Sequence, residues 1–288
     1  MYPHGADSKE AGLIEPRSWL FVPADSERKI TKALDSEADA IIFDLEDSVA
    51  PGMKPSARDI LKNLQSRSGG PQWWVRINPL GSEFHKADLA LIGIADIQGI
   101  VLPKTESGAD VFQLAYRTGQ IPIHAIVTET AASLFGLLSY NDPNLPLAAM
   151  SWGAEDLSAA LGASSKYDAN GELSFTYKLA RSLCLAGAVA AGVQPIDGVF
   201  ADFRDEDGLR AEAEAARREG FTGKLAIHPA QVPIINAAFT PSDDELRHAE
   251  EIVAAFEAQP DAGVLSVGGK MVDRPHLIQA KRVLERAS

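Results

Sequence analysis

The stretch IHAIVTETAASLFGLLSYNDPNLPLAAMSWGAEDLS, residues 123–158, decides the architecture. It opens with a short run that reads as a strand, passes into helical periodicity over TAASLFGLLSY (130–140), and returns to a second apolar strand-like run from residue 148. A period that changes from 2 to 3.6 and back marks a parallel strand, a crossover helix and a second strand. Each of the two runs closes on an acidic residue, Glu129 in the first and Asp156 in the second.

Working outward from this unit, the same pattern recurs along the chain. Eight runs read as strands: SWLFVPA (18–24), AIIFDLED (40–47), WWVRIN (73–78), GIVLPK (99–104), HAIVTE (124–129), AMSWGAED (149–156), PIDGVF (195–200) and KLAIHP (224–229). Most are apolar on both faces, as strands in a covered parallel sheet must be. Helical stretches lie between them, among them SERKITKALDSEA, GADVFQLAYRTG, TYKLARSLCLAGAVAAG and GLRAEAEAARREG, several closed by the Gly that a helix C-terminus favours. Eight alternations predict a closed (β/α)8 TIM barrel with a C-terminal helical extension. The competing architecture, a doubly wound open sheet, lacks its G-x-G-x-x-G signature after the first strand. Residues 1–16 read as a loose N-terminal arm, 17–257 as the barrel, and 258–288 as a Gly-rich loop followed by an amphipathic helix. GASSKYDANGEL (162–173) reads as a long cover loop.

The chain has 288 residues, of which 45% are hydrophobic, enough to bury one barrel-sized core. Its net charge of −13, with no block of Lys and Arg, argues against a nucleic-acid or anionic membrane surface. No run approaches the ~18 apolar residues that a membrane span requires, and the polar start has no apolar signal core, so a soluble, cytoplasmic protein is expected. The single cysteine, Cys184, sits among small apolar residues and reads as packing rather than as a nucleophile.

Functional groups of such barrels sit at the C-terminal ends of the strands. That rule selects Asp44, Glu46 and Asp47 on the second strand, Arg76 and Asn78 on the third, Lys104 on the fourth, Glu129 on the fifth, Glu155 and Asp156 on the sixth, and His228 on the eighth. Glu129 and Asp156 match the one or two carboxylates that typically hold Mg2+, although capping of the following helices accounts for them equally well. Arg76 offers a planar fork suited to a carboxylate, or to an ion pair with Asp44 or Glu46. Asp44, Glu46 and Asp47 cannot all be buried and ionised without partners, so some of them are expected to orient Arg76, Lys104 or metal-bound water rather than react directly. His228 could serve as a general base, but ahead of a proline turn it reads rather as a structural histidine.

Together RSWLFVPADSERKITKAL, ADAIIFDLEDSVAPGMKPSAR, WVRINPLG, GIVLPKTES, IVTETAASL, WGAEDLSAALG, DGVFADFRDEDGL, GFTGKLAIHPAQVPIINAAFTPS and GGKMVDRP resemble the citrate lyase beta-subunit-like family, which includes malyl-CoA and citramalyl-CoA lyases, from about residue 17 to 285. The resemblance implies a (β/α)8 barrel, a homotrimer or hexamer, and Mg2+ held by Glu129 and Asp156. It further implies that Arg76 grips the carboxylate of a 2-keto acid and that Phe21, Arg28 and Lys32 contact coenzyme A. Asp273, in GGKMVDRP, would be an acid/base lent to a neighbouring subunit's site. The expected activity is a carbon–carbon lyase acting on a 3-hydroxyacyl-CoA. A malyl-CoA thioesterase or a synthase on the same site, and a non-catalytic assembly subunit, are the alternatives.

Overall fold

Eight parallel strands close on themselves in sequence order: β1 (Ser18–Pro23), β2 (Ala40–Asp44), β3 (Gln72–Arg76), β4 (Ile97–Leu102), β5 (Ile123–Val127), β6 (Leu147–Trp152), β7 (Gln194–Asp197) and β8 (Gly223–Ala226). The structure is a computed structural model and describes residues 15–65, 69–93 and 97–287. Closure comes from parallel pairing of β1 with β8, through Ser18↔Lys224, Trp19↔Leu225 and Leu20↔Ala226. The chain is thus a (β/α)8 TIM barrel.

Strand alternation explains the interior. Trp19, Ala40, Ile42, Trp74, Val101, Ile126, Ala149, Ile196 and Leu225 form one buried cluster to which every strand contributes. Because successive side chains point to opposite faces, two residues further along the same inward columns lie Phe21, Asp44 and Arg76. The apolar plug therefore gives way to charge at the C-terminal mouth. Alternate residues such as Ile41, Phe43 and Val75 are equally buried on the other face, which is why the runs are apolar throughout.

The strands stop sooner than the sequence runs suggest. Glu46 and Asp47 lie beyond β2, Asn78 beyond β3, Lys104 beyond β4, Glu129 beyond β5 and His228 beyond β8. Glu155 and Asp156 lie in the first turn of the helix Ala154–Leu161 rather than on the sixth strand. Just beyond β4 and β5, Lys104 (φ 54°) and Thr128 (φ 63°) adopt the left-handed region that side chains other than Gly avoid.

Of the expected N-terminal arm, residues 1–14 lie outside the described residues. Pro16 belongs to the barrel instead, its carbonyl accepting hydrogen bonds from Trp19 Nε1 (3.1 Å) and Gln194 Nε2 (2.8 Å).

The chain divides into two compact units, Met1–Ile235 and Asn236–Ser288. The second starts well before residue 258. Its helix Asp243–Ala258 packs through Ala249, Ile252 and Phe256 with Val267, Val272 and Ala280. The Gly-rich segment of this unit is a hairpin of β9 (Val264–Val267) and β10 (Lys270–Asp273), turned by Gly268 and Gly269 at φ 56° and 78°. Two positive-φ residues are what a tight hairpin turn needs. The helix Arg274–Glu285 follows at once.

Candidate metal and substrate site

The mouth is organised around Arg76. In-register pairing sets Asp44 directly beside it, and the two join by a two-point ion pair, Arg76 Nε to Asp44 Oδ1 (2.7 Å) and Nη2 to Oδ2 (2.6 Å). Nη1 faces Glu46 Oε2 at 3.0 Å, and the guanidinium lies 4.7 Å above the Phe21 ring centroid. Asp44 also accepts the backbone N–H groups of Glu46 (2.9 Å) and Ser48 (3.1 Å), which shapes the turn that carries Glu46. Burial opposes the ionised form of Asp44, yet Arg76 and these hydrogen bonds outweigh it and hold the carboxyl below its ordinary range. Glu46 is different: burial raises it, and Arg76 and Lys104 offset that only in part.

Lys104 is the second hub. Its ammonium contacts Glu46 Oε1, lies 3.1 Å from Asp47 Oδ2 and 3.5 Å from Asp156 Oδ1, while its backbone N–H donates to Glu129 Oε2. Glu129 is 4% exposed. Burial pushes its carboxyl up to about 8; the Lys104 N–H opposes this, and the negative charges of Asp156 and Glu46 add to it. Glu129 also lies flat against the turn that launches Asp156. A Cβ at Gly153 would sit 2.7 Å from Glu129 Cγ and 3.1 Å from Oε1, so any larger residue there would displace the Glu129 side chain.

Among the described residues no group of three or more His, Cys, Asp or Glu could hold a metal ion. Two carboxylates are nonetheless the usual protein share of a Mg2+ site, with water and substrate completing the shell. Glu129 and Asp156 supply hard oxygen donors in a patch where carboxylates outnumber cations, and one of them is buried with its charge poorly compensated. The residues fit the ion.

Other expected residues stand elsewhere. Glu155 pairs with Lys166 of the 162–173 loop rather than with the Lys104 cluster. Asn78 serves the scaffold: its amide donates to Leu45 O and Asp88 Oδ2, and its Oδ1 accepts from Lys54 Nζ (2.9 Å). Lys54, whose burial no sequence pattern announces, also donates to the carbonyls of Leu45 (2.7 Å) and Glu46 (2.8 Å), and Arg58 holds Asp88. This network fixes the loop from which Glu46 projects. Its only sequence signal is a Lys two residues after a glycine.

His228 stacks on Phe203 at 4.4 Å and accepts the Ala230 N–H through Nδ1. Burial and the nearby Lys32 charge lower its pKa. Arg28 and Lys32 stand on the helix Glu27–Leu34 and line an open groove of about 790 Å3 with Thr31, His228 and Pro229. Asp273, in the second unit, caps the helix Arg274–Glu285. It accepts the His276 N–H (3.4 Å) and meets His276 Nδ1 (2.5 Å), and that side-chain contact is the main cause of its lowered pKa.

A family model described as HpcH/HpaI aldolase/citrate lyase matches residues 17–229, the span that contains β1 to β8 and every mouth residue named above. The chain belongs to this family. A second model, described as C-C bond lyase of the TIM-barrel fold, matches residues 173–288. Among characterised members, a (3S)-malyl-CoA thioesterase of Cereibacter sphaeroides is 38% identical over 94% of both chains. A mitochondrial citramalyl-CoA lyase of Rattus norvegicus is 34% identical over 96% of this chain and 87% of its own length. The crystal structure of protein CitE from Mycobacterium tuberculosis in complex with magnesium, acetoacetate and coenzyme A superimposes with a TM-score of 0.79 at 35% identity, covering 94% of this chain and 97% of that one. Family membership agrees with the barrel and with a carbon–carbon lyase. Among the described residues no helix is long and apolar enough to cross a membrane.

Proposed function

We propose that the protein is a Mg2+-dependent carbon–carbon lyase that reversibly cleaves a 3-hydroxyacyl-CoA, such as citramalyl-CoA, malyl-CoA or citryl-CoA, to acetyl-CoA and a 2-keto acid. The observation that carries this reading is the convergence of Glu129 and Asp156 on Lys104, next to an arginine that two further carboxylates hold in place. Glu129 and Asp156 would hold the ion. When bound, Mg2+ supplies Lewis-acid polarisation of a substrate oxygen.

Arg76 has five N–H donors, of which three face Asp44 and Glu46. The remaining two can receive the carboxylate of the keto-acid half and stabilise charge that develops there. Asp44 and Glu46 keep the fork oriented before substrate arrives, which lowers the cost of ordering it. Arg28 and Lys32 place positive charge on an open groove, and with Phe21 they are our candidates for contacts to coenzyme A. Asp273 would take the methyl proton of acetyl-CoA in the condensing direction and return it during cleavage. We assign it to a neighbouring subunit's site in a homotrimer or hexamer. Exposed Phe112, Tyr116, Phe135 and Leu138 offer apolar surface for such an assembly.

The test is incubation of purified protein and Mg2+ with the three hydroxyacyl-CoA thioesters, with products identified by mass spectrometry. Release of acetyl-CoA with pyruvate, glyoxylate or oxaloacetate is expected; no acetyl-CoA from any of them would overturn the lyase reading. The 38% identity to a malyl-CoA thioesterase favours one second reading, hydrolysis on the same site. Free CoA appearing in place of acetyl-CoA would select it.

A further inference from the structure

Lys104 touches both expected ligands of the ion, by different parts of one residue. Its backbone N–H holds Glu129, and its ammonium lies 3.5 Å from Asp156 while also pairing with Glu46 and Asp47. The backbone at Lys104 is left-handed, φ 54°. A lysine tolerates that conformation only where its surroundings enforce it. The arrangement does more than link chain segments. A fixed positive charge beside carboxylates that are to hold a cation must weaken their attraction for it.

We propose that Lys104 sets the affinity of the cation site: its main chain positions Glu129, and its ammonium tempers the charge of Asp156 and Glu46, so that Mg2+ is held exchangeably. The inference rests on Glu129 and Asp156 being the Mg2+ ligands, as proposed above. Lys104 is a positioning residue here, acting on the ion only through carboxylates it contacts. A purely structural strap makes the opposite prediction, since removing it would loosen the ligands and weaken binding.

Calorimetric titration of MgCl2 into the full chain at low ionic strength separates the two. Lys104→Met, which keeps the backbone donor and loses the charge, should bind Mg2+ about tenfold or more tightly than the parent. Lys104→Arg should restore the parental affinity, and the gap should narrow in high salt, where screening shortens the reach of the charge. Unchanged or weaker binding by Lys104→Met would overturn the proposal. Should that variant not fold, Lys104→Gln takes the same measurement; failure of both to fold makes Lys104 a structural pillar and overturns it as well. Glu129→Gln and Asp156→Asn are titrated alongside. If they still bind Mg2+ as the parent does, the ligand assignment fails; if they lose binding while Lys104→Met does not gain it, only the Lys104 inference fails.

Discussion

Two clusters of buried charge, one at the mouth and one behind the wall of the barrel, use the same residue types to opposite ends. Behind the wall, Asp197 of β7 and Lys224 of β8 are register partners, 1% and 0% exposed. Every oxygen of Asp197 is used: Oδ1 accepts from Trp152 Nε1 (2.9 Å) and Arg181 Nε (2.7 Å), Oδ2 from Lys224 Nζ (2.9 Å). Burial opposes ionisation, but Lys224 and Arg181 overcome it and draw the carboxyl down to about 2. At the mouth, Asp44 and Arg76 are register partners too, yet Glu129 is pushed up to about 8. One cluster is complete. The other lacks positive charge, and that deficit marks it as the candidate site and the first as a structural brace.

The sharpest way to break this contrast is to change one carboxylate in each. Glu129→Gln or Asp156→Asn should abolish Mg2+-dependent turnover, checked by steady-state assays across a Mg2+ titration. Glu129→Gln should still keep the parental melting temperature to within a few degrees, because the folded protein gains little from an ionised Glu129. A Mg2+ response in both variants matching the parent would remove them from the site. Asp273 belongs to neither cluster. As an acid/base group its loss should cost about 10²- to 10⁴-fold. Asp273→Asn should lower kcat by that factor with unchanged thermal unfolding, and an unaltered kcat would exclude it from the chemistry.

The complete cluster should answer in stability instead. Asp197→Asn leaves Lys224 buried without its partner charge, a change that typically costs about 3 to 5 kcal/mol. A fall in melting temperature on the order of 10 °C follows for a chain of this size. Scanning calorimetry measures it directly, and a loss below about 1 kcal/mol would show that Lys224 finds adequate compensation in Glu212, 2.7 Å away.

The barrel was legible because both faces of its strands are buried, so each strand appears as an unbroken apolar run. The mouth was legible because Asp44, Arg76, Lys104 and Glu129 trail such runs. What could not be read is set by phase and partner choice. Asp44 and Asp197 both end a strand, but Asp44 shares the inward column of Ile42 and Asp197 points away from inward Ile196. One step of alternation separates a place at the mouth from a place behind the wall. Glu155 and Asp156 are neighbours in sequence, and the roughly 100° between successive helical residues sends one to Lys166 and the other to Lys104. The amphipathic helix Asp243–Ala258 buries one face, and nothing in its pattern tells a barrel wall from the hairpin partner it has. Lys54 and Lys224 escaped notice because lysine is so seldom fully buried.

The smallest effect concerns the uncharged interior below the mouth, where His124 of β5 meets Ser151 of β6 at 2.7 Å and stands edge-on to Trp19. Complete burial lowers its pKa to about 3, against an ordinary value of 6.5. Unfolded chains take up this proton as pH falls below about 6.5, whereas the folded protein refuses it until about pH 3. His124 therefore contributes stability that is intact above pH 6.5 and declines toward pH 3 at up to ~1.4 kcal/mol per pH unit. His124→Gln keeps a partner for Ser151 and removes the titration. Urea unfolding at pH 7, 6 and 5 should show the parent losing stability faster than the variant. Because the carboxylates of both charged clusters are common to the two proteins, their titration cancels in the difference. Parallel pH profiles would mean that water or a charge reaches His124, and that the apolar floor beneath the charged mouth is not dry.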